Sequence, residues 1–191
     1  MIKSRQDYLA YLEADRKSLS QPQGRASYFF DDVWRFQRLL RKVEYLTNCN
    51  GNWLLKSWAR LRFKRLGARL GFTIPPNTCG PGLSIAHIGT IVINSSARVG
   101  ANCRLHVCVN IGTQAGIPGA IPIIGDNCYI APGAKIFGGI EIGSNTTIGA
   151  NAVVNSSFPE GNTTIAGIPA KVVADKSSDG LLIKGYQHGG V

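Results

Sequence analysis

Three histidines, His87, His106 and His188, and five cysteines are the side chains of this sequence with the widest chemical range. A zinc site needs three or four such ligands converging at short, regular spacings. His87 and His106 stand 19 residues apart and His188 lies in a Gly-rich tail, Gly185 to Val191. Cys49, Cys79, Cys103, Cys108 and Cys128 are odd in number and contain no CxxC pair. No metal site is expected, and the cysteines read as reduced core or coil residues. What remains is the chemistry of single imidazoles, which take up and return protons near neutral pH.

The elements that must position them follow from a period of six. Ile124, Ile130, Ile136, Ile142, Ile148 and Val154 recur at every sixth position. Cys128, Ala134, Thr146 and Ala152 lie four places after members of the series. That is the signature of a parallel β-helix, in which three short strands make a triangular coil and each inward aliphatic stacks on its copy one coil away. The register continues upstream through Ile93, Val99, Leu105 and Ile111, and it is interrupted twice. The spacing from Ile85 to Ile93 is eight, in a widened coil that contains His87, and the spacing from Ile111 to Ile124 is thirteen, so Gly112 to Ala120 must loop off the coil. His106 follows the inward Leu105 and should face outward, either into a site shared with a neighbouring subunit or into water.

Residues 1 to 71 read as a helical extension. Ser4 can cap a first helix, with Asp7 three residues on and Tyr8, Leu9, Tyr11, Leu12 and Leu19 as its stripe, until Gln21 to Gly24 breaks it. A second helix is expected from Asp31 to about Leu46. A third, Trp53 to Leu70, ends at Gly71 and combines Leu54, Leu55, Trp58, Leu61 and Leu66 with Lys56, Arg60, Arg62, Lys64, Arg65 and Arg69. Its apolar side is expected to dock on the coil or on a neighbouring subunit, although a helix of this kind can also make peripheral contact with anionic lipid or another polyanion. The net charge of +10 resides here: residues 1 to 72 hold 15 Lys and Arg against 6 acids, and the remainder 6 against 5. Without a nucleic-acid-binding motif this excess gives only a nonspecific footprint, and no nucleic-acid partner is expected. Met1 to Asp7 leads into a polar helix rather than a signal peptide, so a cytoplasmic protein is expected. The domains are then 1–71 helical, 72–173 β-helical and 174–191 a C-terminal tail.

Three segments in this order resemble serine acetyltransferases and their hexapeptide acyltransferase relatives. They are Ser84 to Ile93, Val109 to Thr113, and Thr164 to Val173 with its Gly167-Ile168-Pro169-Ala170-Lys171 turn. The resemblance covers about residues 55 to 173. It implies a mainly β fold, a left-handed parallel β-helix preceded by the α-helical segment, assembled as a homotrimer with acetyl-CoA as cosubstrate in a groove between subunits. It makes His87 the general base that deprotonates an acceptor hydroxyl as that oxygen attacks the thioester carbonyl. It assigns Gly112, Ala131, Ala134, Lys135, Gly149, Ala150 and Lys171 to cofactor binding, the small residues along the pantetheine arm and Lys171 at a CoA phosphate. Thr73, His106 and Asn110 become candidate orienting or acceptor-side residues.

The chain also departs from the family pattern. The residue before the histidine is usually Asp, and a second Asp near the start of the repeat orients the imidazole; those places hold Ala86 and Thr73. The loop before Ile124 normally carries an Arg-His-Pro element that holds the serine carboxylate, whereas this chain reads Gly119-Ala120-Ile121-Pro122-Ile123. Loss of a charge-assisted clamp removes what separates an amino acid from a simple alcohol. The expected activity is therefore O-acetylation of a sugar hydroxyl in surface polysaccharide or glycoconjugate assembly, with serine O-acetylation in cysteine biosynthesis as the alternative. Two further readings are a zinc-dependent γ-class carbonic anhydrase, disfavoured by the histidine spacing, and a noncatalytic β-helical scaffold or binding module.

Overall fold

The computed structural model describes residues 1–20 and 31–187. The break expected at Gln21 to Gly24 and His188 lie outside the described residues. Helix α1 (Arg5–Ser18) starts at Ser4, whose hydroxyl accepts from the Asp7 backbone N–H at 3.0 Å, while the Asp7 carboxylate accepts from the Lys3 N–H at 2.8 Å. Helix α2 (Asp32–Asn48) is capped by Asp31, which accepts from the Trp34 N–H at 2.8 Å. Helix α3 (Trp53–Leu70) is capped by Asn52 and stops at Gly71, whose φ of 79° lies in the left-handed region that glycine adopts without a Cβ clash.

Fourteen short strands follow among the described residues, from β1 (Phe72–Thr73) to β14 (Ala170–Ala174). Their pairing is a three-faced coil. β1, β3 (Ile91–Ile93), β6 (Val109–Gly112), β9 (Lys135–Phe137) and β12 (Val153–Val154) stack on one face. β4 (Arg98–Val99), β7 (Ile123–Ile124) and β10 (Glu141–Ile142) form the second, and β2 (Ser84–Ile85), β5 (Arg104–Leu105), β8 (Tyr129–Ile130), β11 (Thr147–Ile148) and β13 (Thr164–Gly167) the third. All of these pairs are parallel; only β14 turns back antiparallel on β13.

The stacked aliphatics of the hexapeptide series are the core. Ile93, Ile111, Ile136 and Val154 align on the first face, Val99, Ile124 and Ile142 on the second, and Ile85, Leu105, Ile130, Ile148 and Ile165 on the third. Each is at most 3% exposed, and burial of such a side chain stabilises by about 1.5–3 kcal/mol. The small residues four places on, Cys128, Ala134, Thr146 and Ala152, are fully buried at the corners. Both interruptions are absorbed there: Ile85 pairs with Leu105, two residues beyond the regular 18, and Val99 with Ile124, seven beyond it.

Helices and coil are joined by buried polar groups. The fully buried Arg41 forms a two-point pair with Asp15 (2.8 and 3.2 Å), meets Glu44 at 3.0 Å, and donates to the carbonyls of Cys79 (2.8 Å) and Gly80 (2.6 Å). Asp15 accepts in turn from the Leu83 N–H, Glu44 from the Asn77 N–H, and Gln37 bonds both Leu83 O and Ile85 N. Burial is the largest influence on Arg41 and pulls its pKa down, but Asp15 and Glu44 hold it above the usual guanidinium range.

The exposed side of α3 departs from one half of the sequence expectation, docking on the coil. Leu54, Leu55, Trp58 and Leu61 do not dock on the coil; they are exposed, because the helix buries Ala59, Leu66, Gly67 and Leu70 instead. The C-terminal segment is anchored as far as Tyr186. Asn102, Asn127, Asn145 and Asn162 stack at one corner with positive φ and bond side chain to side chain at 2.9–3.0 Å. Ser178 bonds the Asn127 and Asn145 carbonyls, the Tyr186 N–H donates to Asn102 Oδ1 at 2.8 Å, and the Gly185 N–H reaches Ser18 Oγ on α1.

Removing Arg41 would leave two carboxylates buried without their cation. Arg41→Ala is expected to destabilise by ~3–5 kcal/mol in urea unfolding, against a change of about 0.5 kcal/mol or less for the exposed Arg5→Ala. Equal midpoints for the two variants would show that the network does not hold the helices on the coil.

Candidate active site

The two extra residues between Ile85 and Ile93 push Ala86 to Thr90 outward as a bulge, and His87 is exposed on it. Ala86 lies one coil from His106, since its N–H bonds Leu105 O while the His106 N–H bonds Ile130 O. The imidazoles of His87 and His106 come together with ring centroids 6.2 Å apart, and His106 lies 4.9 Å from the Tyr129 ring. Arg104, level with Tyr129 on β5 and β8, donates to Ser84 Oγ at 3.1 Å. Arg104 and Tyr129 were missed in the sequence, although each directly precedes an inward aliphatic, Leu105 or Ile130, and so had to point outward beside His106.

His106 Nε2 is buried with no hydrogen-bond partner among the described residues. Burial first, then Arg104 and His87, lower the His106 pKa below its ordinary value. No side-chain hydrogen bond holds the His87 imidazole among the described residues. Thr73 is exposed on β1 and belongs to an outward row with Val92, Asn110 and Lys135. Asn110 is half-buried on that face.

The other candidates divide by burial. Below His106 on the same corner come Ala131, Gly149 and Ala166, each joined to the next coil through its backbone, and Lys171 on β14 pairs with Ala166. The column thus runs over three coil spacings, about 14 Å, with nothing larger than a methyl group. Ala150 is exposed beside it. Gly112 ends β6, where the loop begins. Lys135 is exposed, but its ammonium bonds the carbonyls of Cys108 (2.6 Å) and Gly133 (2.9 Å). The Ala134 side chain is wholly buried in the core, and its carbonyl accepts from the Asn110 N–H.

Residues 113 to 119 are all exposed, and the stretch from Gly112 to Ile124 contains no Lys, Arg or His. Among the described residues no three His, Cys, Asp or Glu side chains converge as metal ligands.

The bacterial transferase hexapeptide (six repeats) family matches residues 121–156. A serine acetyltransferase of Staphylococcus aureus is 38% identical over 121 residues, which are 62% of this chain and 55% of that protein. Two solved structures follow the fold over most of its length. One is the Neisseria gonorrhoeae serine acetyltransferase in complex with serine (TM-score 0.72, 29% identity, 90% of this chain and 71% of that one). The other is the Brucella abortus serine acetyltransferase in complex with coenzyme A (TM-score 0.73, 25% identity, 91% and 70%). The chain is similar to serine acetyltransferases, and its residues 121–156 match the hexapeptide repeat. It spans about half the length of the curated relatives it matches.

The depressed pKa of His106 fixes the sign of a pH effect. In the unfolded chain the imidazole protonates near pH 6.5, before the folded one does. Its contribution to stability is therefore complete above about pH 6.5 and is lost as pH falls through the lower folded value. NMR titration should place the His106 midpoint below that of a free histidine, and Arg104→Gln should raise it; a midpoint at or above the free value would contradict the assignment.

Proposed function

We propose that this protein is an acetyl-CoA-dependent O-acetyltransferase and that L-serine is the acceptor the comparisons support best. The observation that carries the reading is the exposed His87 beside His106 at the head of a small-residue column that ends at Lys171. In this reading His87 takes the proton of the acceptor hydroxyl as its oxygen bonds to the thioester carbonyl carbon. The C–S bond then breaks, and the same imidazole returns the proton to the departing thiolate. His106, kept neutral beside Arg104, and Tyr129 stand on the acceptor side. The donor's pantetheine arm lies along Ala131, Gly149 and Ala166, where backbone N–H and C=O groups can approach it, and Lys171 meets a phosphate. A left-handed coil assembled as a homotrimer belongs to the same reading, with the groove closed by a neighbouring subunit.

Serine replaces the sugar acceptor expected from the loop sequence because the relatives and solved structures bear that name. A sugar hydroxyl stays as a second reading on one observation. The loop between Gly112 and Ile124 offers no cationic side chain to an amino-acid carboxylate.

Thiol release from acetyl-CoA, measured with serine, other small alcohols, nucleotide sugars and oligosaccharides, separates the two. Serine is expected to give the highest kcat/KM; a sugar that exceeds it would replace serine as the acceptor. His87→Ala is expected to lower turnover by ~10²- to 10⁴-fold, the usual contribution of a general base. Full activity in that variant would sink the assigned role, and failure to bind acetyl-CoA at all would favour a noncatalytic scaffold.

A further inference from the structure

The outward side of α3 has an organisation that the candidate active site does not use. Leu54, Trp58, Leu61, Arg65 and Arg69 succeed one another at intervals of three or four and form one stripe, turned away from the buried Ala59, Leu66 and Leu70. Its first half is apolar and open to solvent, with Leu54 58% exposed, Trp58 50% and Leu61 47%, and Trp53 (71%) and Leu55 (53%) are exposed on either side of it. Its second half is cationic and faces α2 across a groove lined by Arg35, Leu39, Arg62, Arg65, Leu66 and Arg69. Helix α3 carries six Lys and Arg residues and no Asp or Glu. The nearby Asp32 is already shared by Arg35 at 2.6 Å and Arg69 at 3.0 Å. Trp58 is flanked by Arg62 (4.7 Å) and Lys42 (5.9 Å), so the most prominent ring of the stripe is set among cations.

We propose that this face docks the protein on an anionic lipid bilayer, with Trp53, Leu54, Leu55 and Trp58 entering the interfacial layer and Arg62, Arg65 and Lys42 meeting headgroup phosphates. Charge and hydrophobicity together select this occupant. A second copy in two-fold contact through this stripe would set Arg62, Arg65 and Arg69 against their own copies with no acid on either helix. A soluble polyanion would satisfy the cations but leave the large apolar side chains in water. A bilayer surface satisfies both, and Trp and Arg are suited to its interfacial layer. The attachment is peripheral, since no helix among the described residues is long and apolar enough to cross a membrane.

The test is sedimentation of the full chain with vesicles of phosphatidylcholine alone or mixed with phosphatidylglycerol, in parallel with inorganic phosphate as competitor. The protein should bind the phosphatidylglycerol vesicles, lose affinity as salt is raised, and show blue-shifted tryptophan emission when bound. Arg62→Glu with Arg65→Glu should weaken binding at least ~10-fold, and Trp53→Ser with Trp58→Ser should remove the blue shift, with circular dichroism unchanged. Equal binding to both vesicle types, insensitivity to either double variant, or displacement by phosphate alone would overturn the proposal. So would a soluble oligomer that the tryptophan variants dissociate. None of these readouts depends on which acceptor is acetylated.

Discussion

Everything beyond the first coil depends on how the open end of the stack is closed. A parallel coil of this kind exposes unpaired backbone at its ends, and repeat proteins need terminal caps for that reason. Here the cap is a set of side chains. Arg41 takes the Cys79 and Gly80 carbonyls, while Gln37 takes Leu83 O and Ile85 N, so helix α2 stands in for the neighbouring strand that β2 lacks. Asp15 brings α1 into the same cluster through the Leu83 N–H. The bonded segment ends two residues before His87, so the groups that close the stack also fix the start of the bulge that carries the imidazole. At the opposite end β14 folds back on β13, and its antiparallel pairing covers the last parallel strand of the same face.

The coil separates what must be regular from what is free to vary. Inward positions are locked by the aliphatic stack, and a displacement of one residue would turn apolar side chains into solvent. The aliphatic stack does not fix the length of every corner. Extra residues enter there, two at the His87 bulge and seven at the loop before Ile124, and the next aliphatic resumes its register. The irregular corners are thus where the chain can present side chains to a ligand without disturbing the core. The cluster of His87, His106 and Tyr129 combines one such corner with two outward positions of the regular coils.

The inward register, the helix ends at Ser4 and Gly71 and both insertions were legible in the sequence, because each follows from local spacing or capping chemistry. Less legible was anything that depends on which of two compatible faces wins. Helix α3 has enough apolar residues for two stripes, and only the tertiary structure selects the one built on Ala59, Leu66 and Leu70. Tyr129 lies 25 residues from Arg104, an interval that becomes a direct neighbour relation only after the seven loop residues are removed. The Arg41 network was invisible for a similar reason. Its members, Asp15, Arg41, Glu44 and the carbonyls of Cys79 and Gly80, share no sequence period.

The asparagine column and the C-terminal segment form a strut beside the coil. From β14 the chain climbs past Thr164, whose hydroxyl donates to Lys176 O, then past Asn145, Asn127 and Asn102, and reaches Ser18 of α1. Coils in a solenoid ordinarily touch only their neighbours and can detach one at a time from either end. A strut bonded to several levels couples coils that never meet, so an end cannot peel away without releasing the whole length. It also acts as a ruler. A coil added to or deleted from the stack would move Asn102 away from Tyr186, so the length of the tail and the number of coils are matched to each other.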